Sequence, residues 1–186
     1  MDLTDEEKRQ LLVYARTAIE SRFEDAPATV PHSSSENLSV RSGVFVTLRV
    51  GTELRGCIGY VESNAPLGGT VQEVARKAAF EDPRFPPVQS EELSRISIEI
   101  SLLSPLQVVK DLDAIEVGKH GLVIEAGGRR GLLLPHVATE YGWDREAFLN
   151  HTAVKAGLPA GHWRSQDVLI CSFTTETFSE AELQPH

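Results

Sequence analysis

Residues 96–102 alternate strictly between apolar and polar side chains, which makes them the most regular segment of the chain. The apolar positions are Ile96, Ile98, Ile100 and Leu102, and the polar positions are Ser97, Glu99 and Ser101. Because successive side chains of a β-strand point to opposite faces, this alternation predicts a strand with one buried and one polar face. Such half-buried strands are typical of antiparallel sheets, so we expect the chain to contain one.

Three helices are predicted from N-capping residues and from apolar positions at helical spacing. They are residues 5–21 with the capping box Thr4 and Glu7, a helix that follows the capping box Thr70 and Glu73 and stops at Pro83, and residues 145–156 with Asp144 as N-cap. Pro83 ends the second helix because its ring cannot continue one, and Gly157 ends the third because glycine readily adopts the left-handed conformation.

Two hairpins and a last strand are predicted from apolar or alternating runs that are joined by turn residues. The first hairpin joins residues 43–50 and 54–61, the second joins 122–125 and 132–134 through Gly127-Gly128, and the last strand covers 168–174. Residues 25–37 are rich in Pro, Ser and Ala and are expected to form a solvated connection. Frequent hairpins without a regular β-α-β rhythm favour an α+β fold with an antiparallel sheet.

The charge balance disfavours two classes of partner. The chain has 18 Lys and Arg against 27 Asp and Glu, and the formal net charge of -9 makes binding to nucleic acid or an anionic membrane an unfavourable hypothesis.

No apolar run reaches the roughly 18 residues that span a bilayer, and the first residues do not resemble a secretory leader, so a cytoplasmic protein is expected. Cys57 and Cys171 form no C-x-x-C pair and the histidines lack zinc-binding spacing, so we predict no disulfide framework, no metal and no cofactor.

Residues 54–59, Leu-Arg-Gly-Cys-Ile-Gly, are the most informative segment for function. In an extended strand, Leu54 and Ile58 would point into the core, while Arg55 and Cys57 would share the opposite face. A guanidinium beside the sulfur would lower the pKa of the Cys57 thiol. The segment therefore predicts a reactive thiol in an electropositive site.

Two glycines flank Cys57 in this segment. Gly59 would leave room beside the sulfur, and Gly56 would let a ligand or another chain approach the backbone closely. The alternative is a buried Cys57 that acts as a small apolar side chain, with both glycines serving only strand packing.

Five blocks of the sequence resemble the AMMECR domain family, in the same order. Residues 54–59 resemble its signature hexapeptide, and the other blocks are Asp-Pro-Arg-Phe-Pro-Pro at 82–87, Gly-Lys-His-Gly-Leu at 118–122, Leu-Leu-Pro-His-Val at 133–137, and Lys-Ala-Gly-Leu at 155–158 followed by Trp163. The match to the family extends over nearly the whole chain. The similarity is greatest to the bacterial and archaeal form that is encoded beside a Memo-like protein and a radical-SAM protein.

This resemblance implies a single AMMECR-type domain over residues 1–186, with two lobes and a cleft between them. The larger lobe would comprise roughly residues 1–104 and 165–186, with an antiparallel sheet flanked by helices. The smaller lobe, roughly residues 105–164, would hold a short antiparallel sheet and helices. The signature strand would face the cleft, which would receive a protein or small-molecule ligand. The implied partners are the Memo-like and radical-SAM proteins, and no reaction is implied.

Four further residues are candidates for the same site. Asp82 and Arg84 lie in a proline-rigid turn and would line the cleft; the alternative is a mutual ion pair that only fixes the turn. Glu99 would pair with Arg55 or act as a general base if its strand neighbours the signature strand, and otherwise it would face solvent. His120 would transfer protons near neutral pH, and otherwise it is a surface histidine.

Two functions follow from these residues. The first is a thiol-dependent enzyme, in which Cys57 is the nucleophile or a transient carrier, Arg55 holds an anion or the thiolate, and Glu99 or His120 transfers protons. The second is a non-catalytic module whose cleft binds a peptide, a small ligand or a partner protein. The polar face predicted around Cys57 favours the enzyme.

Overall fold

The computed structural model describes residues 3–24 and 35–183. In chain order its helices and strands are α1 (Asp5–Glu20), β1 (Val44–Val50), β2 (Glu53–Tyr60), α2 (Leu67–Phe80), β3 (Ile96–Leu103), β4 (Gln107–Val108), β5 (Gly121–Ala126), β6 (Arg129–Leu133), α3 (Pro135–Glu140), α4 (Arg145–Lys155), β7 (Leu169–Phe173), β8 (Thr175–Ser179) and α5 (Glu180–Leu183). The strands form two antiparallel four-stranded sheets, which confirms the predicted α+β class.

The chain divides into two compact units, each with its own sheet. The first unit contains residues up to 102 together with those from 176 on, and the second contains residues 103–175. The strand order is β2-β1-β3-β8 in the first sheet and β4-β7-β5-β6 in the second. The two lobes and the cleft implied by the family resemblance stay a prediction.

The predicted start of α1 is confirmed. The backbone N–H of Glu7 donates to the Thr4 hydroxyl at 3.3 Å, and the Glu7 carboxylate accepts from the backbone N–H of Thr4 at 2.8 Å. The helix buries one face, which includes Leu11, Ala15 and Ile19, in the core of the first unit. Part of the predicted connection at residues 25–37 lies outside the described residues, and a 3-10 helix covers Glu36–Ser39.

Helix α2 begins earlier than predicted. Its N-cap is Pro66, and Thr70 lies inside the first helical turns, where its hydroxyl donates to the carbonyl of Pro66 at 3.1 Å. The predicted capping box at Thr70 and Glu73 is therefore wrong, because the hydroxyl bonds backward along the helix. The helix ends at Phe80, ahead of Pro83.

Each sheet is approached closely by a helix at one glycine. A Cβ on Gly56 of β2 would lie 2.2 Å from the carbonyl oxygen of Ala78 in α2. A Cβ on Gly131 of β6 would lie 2.3 Å from the backbone nitrogen of Ala156, directly after α4. At both places the absence of a side chain permits contact between the two backbones.

In the second unit the predicted hairpin and helix are confirmed. Gly127 and Gly128, with φ of 57° and 74°, form the turn between β5 and β6, since two positive φ angles match the twist of the strands. The Asp144 carboxylate accepts from the backbone N–H of Ala147 at 2.8 Å and caps α4, and Gly157 follows that helix with φ 76°.

The short elements β4, α3, β8 and α5 were not predicted. Pro135, soon after the second hairpin, is the first residue of α3, a position where its fixed φ suits a helix. Strands and helices of two to six residues contain too few positions to show a periodicity. None of the described helices combines the length and apolar character required to cross a bilayer.

Candidate functional site around Cys57

Cys57 lies on β2, one of the two edge strands of the first sheet. In the strand register Cys57 is opposite Thr47 of β1, and Thr47 is opposite Glu99 of β3. Directly paired residues of antiparallel strands point to the same face, so these three side chains form a row across the sheet. Glu99 therefore shares a face with Cys57, with Thr47 between them.

Arg55 occupies a β-bulge and does not reach the sulfur. Leu48 pairs with Gly56 and Arg49 pairs with Leu54, which leaves Arg55 as the extra residue. Its Nε donates to Oε1 of Glu92 at 2.7 Å and its Nη2 donates to Oε2 at 3.0 Å. A bulge re-aims a side chain relative to strict alternation, and the guanidinium is therefore paired with Glu92 and not with Cys57 or Glu99.

The Cys57 thiol is protonated at neutral pH. Burial raises the pKa of Cys57 above its ordinary value, while a hydrogen bond from Thr47 and the positive charge of Arg84 oppose this effect. The Thr47 hydroxyl donates to Sγ at 3.3 Å. The prediction that Arg55 lowers the pKa of this thiol is wrong, because desolvation dominates and the nearby guanidinium is Arg84.

The spaces beside the two glycines are occupied by the protein itself. A Cβ on Gly59 would lie 2.2 Å from the ring of Phe45, its partner on β1, so the predicted open space beside the sulfur is wrong. The space beside Gly56 is taken by α2, as described above. Ile58 packs against the core as expected, whereas Leu54, at the bulge, is 37% exposed and does not.

Asp82 and Arg84 close the free edge of β2 at Cys57. The backbone N–H of Cys57 donates to Oδ2 of Asp82 at 2.9 Å, and Nη2 of Arg84 donates to the carbonyl of Cys57 at 3.2 Å. Nε and Nη2 of Arg84 also donate to Oδ1 and Oδ2 of Asp82, at 3.0 and 2.7 Å. The mutual ion pair weighed for these residues is therefore present, and it also satisfies backbone groups that an edge strand leaves unpaired.

Asp82 anchors this arrangement electrostatically. Its side chain is 2% exposed, whereas that of Arg84 is 54% exposed. The hydrogen bonds from Arg84, together with the Cys57 N–H, lower the pKa of Asp82 to about 2 despite its burial. The carboxylate is therefore ionised at neutral pH and holds the Arg84 guanidinium in place. Arg55 likewise lowers the pKa of Glu92.

His120 belongs to the second unit, whereas the residues around Cys57 belong to the first. Its Nδ1 accepts a hydrogen bond from the backbone N–H of Glu116 at 3.0 Å, so the neutral imidazole carries its proton on Nε2. Cys171, on β7, is buried.

Sequence reasoning missed two residues of the site, Thr47 and Glu92. Thr47 is a polar residue directly across the predicted first hairpin from Cys57, so a prediction of strand register would have found it. Glu92 lies 37 residues from Arg55, and no local pattern links the two. Within residues 3–24 and 35–183, no three His, Cys, Asp or Glu side chains gather as metal ligands would.

The match to a family model agrees with the five sequence blocks. The AMMECR1 family model matches residues 12–178, and the chain belongs to this family. A protein of Methanothermobacter thermautotrophicus is 44% identical over 185 residues, which cover 96% of each chain. A protein of Methanocaldococcus jannaschii is 42% identical over 188 residues, which cover 97% of this chain and 93% of the relative.

A solved structure has the same fold. The crystal structure of an uncharacterised protein from Pyrococcus horikoshii superposes with a TM-score of 0.89 at 38% sequence identity. The superposition covers 97% of this chain and 94% of the Pyrococcus chain. The resemblance noted in the sequence is thereby confirmed at the level of family and fold.

Proposed function

We propose that this protein is a binding module that holds an anionic group, a carboxylate or a phosphate, of a peptide or small molecule at Arg84 beside Cys57. The geometry of Arg84 supports this proposal. Its guanidinium is fixed by the buried Asp82 through Nε and Nη2, yet its side chain is 54% exposed. No described residue accepts a hydrogen bond from Nη1 of Arg84. That side of the guanidinium group is therefore available to an anion.

The state of Cys57 favours binding over catalysis. Its burial raises the pKa of the thiol, and a protonated thiol is a weak nucleophile. The guanidinium that the sequence assigned to it is instead paired with Glu92. In this proposal the sulfur contributes a contact to the ligand and forms no bond with it.

A thiol-dependent enzyme is the second candidate. The hydrogen bond from Thr47 and the charge of Arg84 both favour the thiolate of Cys57, and Glu99 lies in the same row of side chains. A ligand bound at the site that shifts this balance toward the thiolate would activate the sulfur as a nucleophile, with Glu99 as proton carrier.

Alkylation of Cys57 by iodoacetamide, followed by mass spectrometry over a range of pH, distinguishes the two functions. For the binding module we expect a midpoint above the ordinary thiol value of about 8.5. Inorganic phosphate or N-acetylglycine should slow alkylation in the wild type but not in Arg84→Gln. Arg55→Gln removes the same charge and is the matched control, and Cys171 is an internal control.

Two outcomes would contradict the proposal. A midpoint clearly below about 8.5 supports the enzyme. If neither phosphate nor N-acetylglycine protects Cys57 in the wild type, Arg84 does not bind an anion.

We further propose that the implied Memo-like and radical-SAM proteins, acting with this chain in the cytoplasm, supply or carry the group held at Arg84. Co-purification with each of these proteins tests this. The binding module predicts a complex that persists in Cys57→Ser and is weakened in Arg84→Gln. Loss of the complex in Cys57→Ser supports the thiol enzyme instead.

A further inference from the structure

A groove of about 1190 Å³ in the first unit contains none of the residues of the Cys57 site. It is lined by α1, by Ser90 and residues 93–97, and by α5. None of the interactions described above explains what this groove does.

The α1 side of the groove has the one-sided lining and the length that a partner helix requires. Its lining residues are Arg9, Leu12, Val13, Arg16, Thr17 and Glu20. Steps of three and four residues keep these side chains on one face of the helix over three turns. We call these six residues the α1 stripe. At 1.5 Å per residue this stripe is about 16 Å long, which matches about three turns of a second helix.

The groove contains an accessible apolar side chain. Val13 is 52% exposed, although it lies at the centre of the stripe on α1. Leu93 and Leu183 line the groove as well. An exposed valine in a groove that leucines also line offers an apolar contact for the side chains of an amphipathic helix.

The charges of the groove favour an acidic partner, although the chain as a whole has a net charge of -9. Of the two carboxylates in the lining, Glu180 is neutralised by Arg16, whose Nε donates to Oε1 at 2.9 Å. Arg9 and Arg95 are exposed. Glu6, 3.7 Å from Arg9, does not line the groove.

Glu20, the other lining carboxylate, lies at the opposite end of the α1 stripe from Arg9. Like charges across an interface are unfavourable, so this carboxylate sets the direction of an acidic partner.

We propose that this groove binds an acidic amphipathic helix of a partner protein, with apolar side chains on Val13 and carboxylates directed toward Arg9 and Arg95. The proposal does not depend on an anion site at Arg84.

A peptide display selection on the full chain tests the proposal. The library presents helices of 14 residues with leucine at the apolar positions, in two halves whose polar positions are either mainly Glu or mainly Lys. We expect enrichment of acidic helices. The Kd of a selected peptide should rise about tenfold or more in Val13→Asp and in Arg9→Glu/Arg95→Glu, and the affinity should fall with added salt.

Matched variants control for nonspecific effects. Val154→Asp changes a valine that is 54% exposed on α4, and Arg76→Glu/Lys110→Glu reverses two exposed charges elsewhere. Neither should change the Kd. No enrichment, enrichment of the basic half, or equal binding to Arg9→Glu/Arg95→Glu would overturn the proposal. Self-association of the wild type that Val13→Asp abolishes would also overturn it, because the groove would then bind a second copy of the chain.

Discussion

The carboxylate of Asp82 accepts a hydrogen bond at 2.9 Å from the backbone N–H of Cys57, 25 residues earlier in the chain. Arg84 binds the carbonyl of the same residue, so the turn after α2 engages both backbone groups of Cys57. A further strand of the sheet would use the same two groups. The candidate site is thus formed where a turn takes the place of a strand and presents a guanidinium beside the thiol.

Acid should destabilise the protein through Asp82. The pKa of this carboxyl falls from 3.8 to about 2 on folding, so its contribution to stability is present above pH 3.8 and is lost as the pH falls toward 2. The shift corresponds to about 2 kcal/mol at most, and to less in practice because the exposed Arg84 is screened by solvent. Urea unfolding at several pH values measures it.

Asp82→Asn isolates this contribution from those of other carboxyls. The difference in free energy of unfolding between wild type and Asp82→Asn should be constant near neutral pH and shrink toward pH 2. Asp113→Asn, which removes an exposed partner of Arg145, should show almost no such difference. A difference for Asp82→Asn that persists undiminished at pH 2 would show that the charge of Asp82 does not contribute.

Gly56→Ala should destabilise the first unit. The new Cβ would lie 2.2 Å from the backbone carbonyl of Ala78, which cannot move without shifting α2. We expect a loss of about 1–3 kcal/mol in the free energy of unfolding. Gly69→Ala, in α2 itself, is the control, because nothing lies within 4 Å of the added Cβ. This substitution should raise the free energy of unfolding by about 0.5–1 kcal/mol. Equal effects of the two substitutions would show that close approach does not explain Gly56.

Gly59 and Phe45 should be energetically coupled. A Cβ on Gly59 would overlap the ring of Phe45, so Gly59→Ala should cost about 1–3 kcal/mol in the wild type and much less in Phe45→Ala. A double-mutant cycle from urea unfolding gives the coupling free energy. Strictly additive effects would mean that the ring does not occupy the space above the glycine.

Glu92→Gln should destabilise the protein without altering the thiol. The Arg55 side chain is only 13% exposed and its Nη1 has no hydrogen-bond partner among the described residues, so loss of the Glu92 charge leaves a buried guanidinium poorly compensated. We expect a loss of about 1–3 kcal/mol. The alkylation midpoint of Cys57 should stay unchanged in Glu92→Gln and rise in Arg84→Gln. A shift in Glu92→Gln instead would restore Arg55 as the residue that controls the thiol.

Elements with a local signature were predicted well. The capping box before α1, the Gly127-Gly128 turn, the Asp144 cap of α4 and the alternation of β3 each involve residues a few positions apart. The capping box predicted at Thr70 failed although its residue types were right, because an N-cap requires an extended backbone and Thr70 is already helical. Residue type therefore predicts what a segment is able to form, and the backbone decides which hydrogen bond it makes.

The candidate site also separates what residue types predict from what the folded backbone decides. Cys57, Arg55, Glu99, Asp82 and Arg84 were all selected from the sequence, but the partner assigned to the sulfur was the wrong arginine. Strict alternation along β2 would have placed Arg55 beside Cys57, and the bulge interrupts that alternation. A bulge depends on the pairing of two strands, which alternation within one strand does not reveal.

The amino-acid order by itself determined the α+β class, the main helices and strands, the family and most of the residues around Cys57, although not Thr47 or Glu92. Periodicity, capping and turn chemistry act over a few residues and are therefore present in the chain before it folds. Only the tertiary structure decided that Arg84 and not Arg55 acts on the thiol, that Phe45 covers Gly59, and that burial raises the pKa of Cys57. These properties depend on segments that are distant in the chain and on how much water they exclude when they pack.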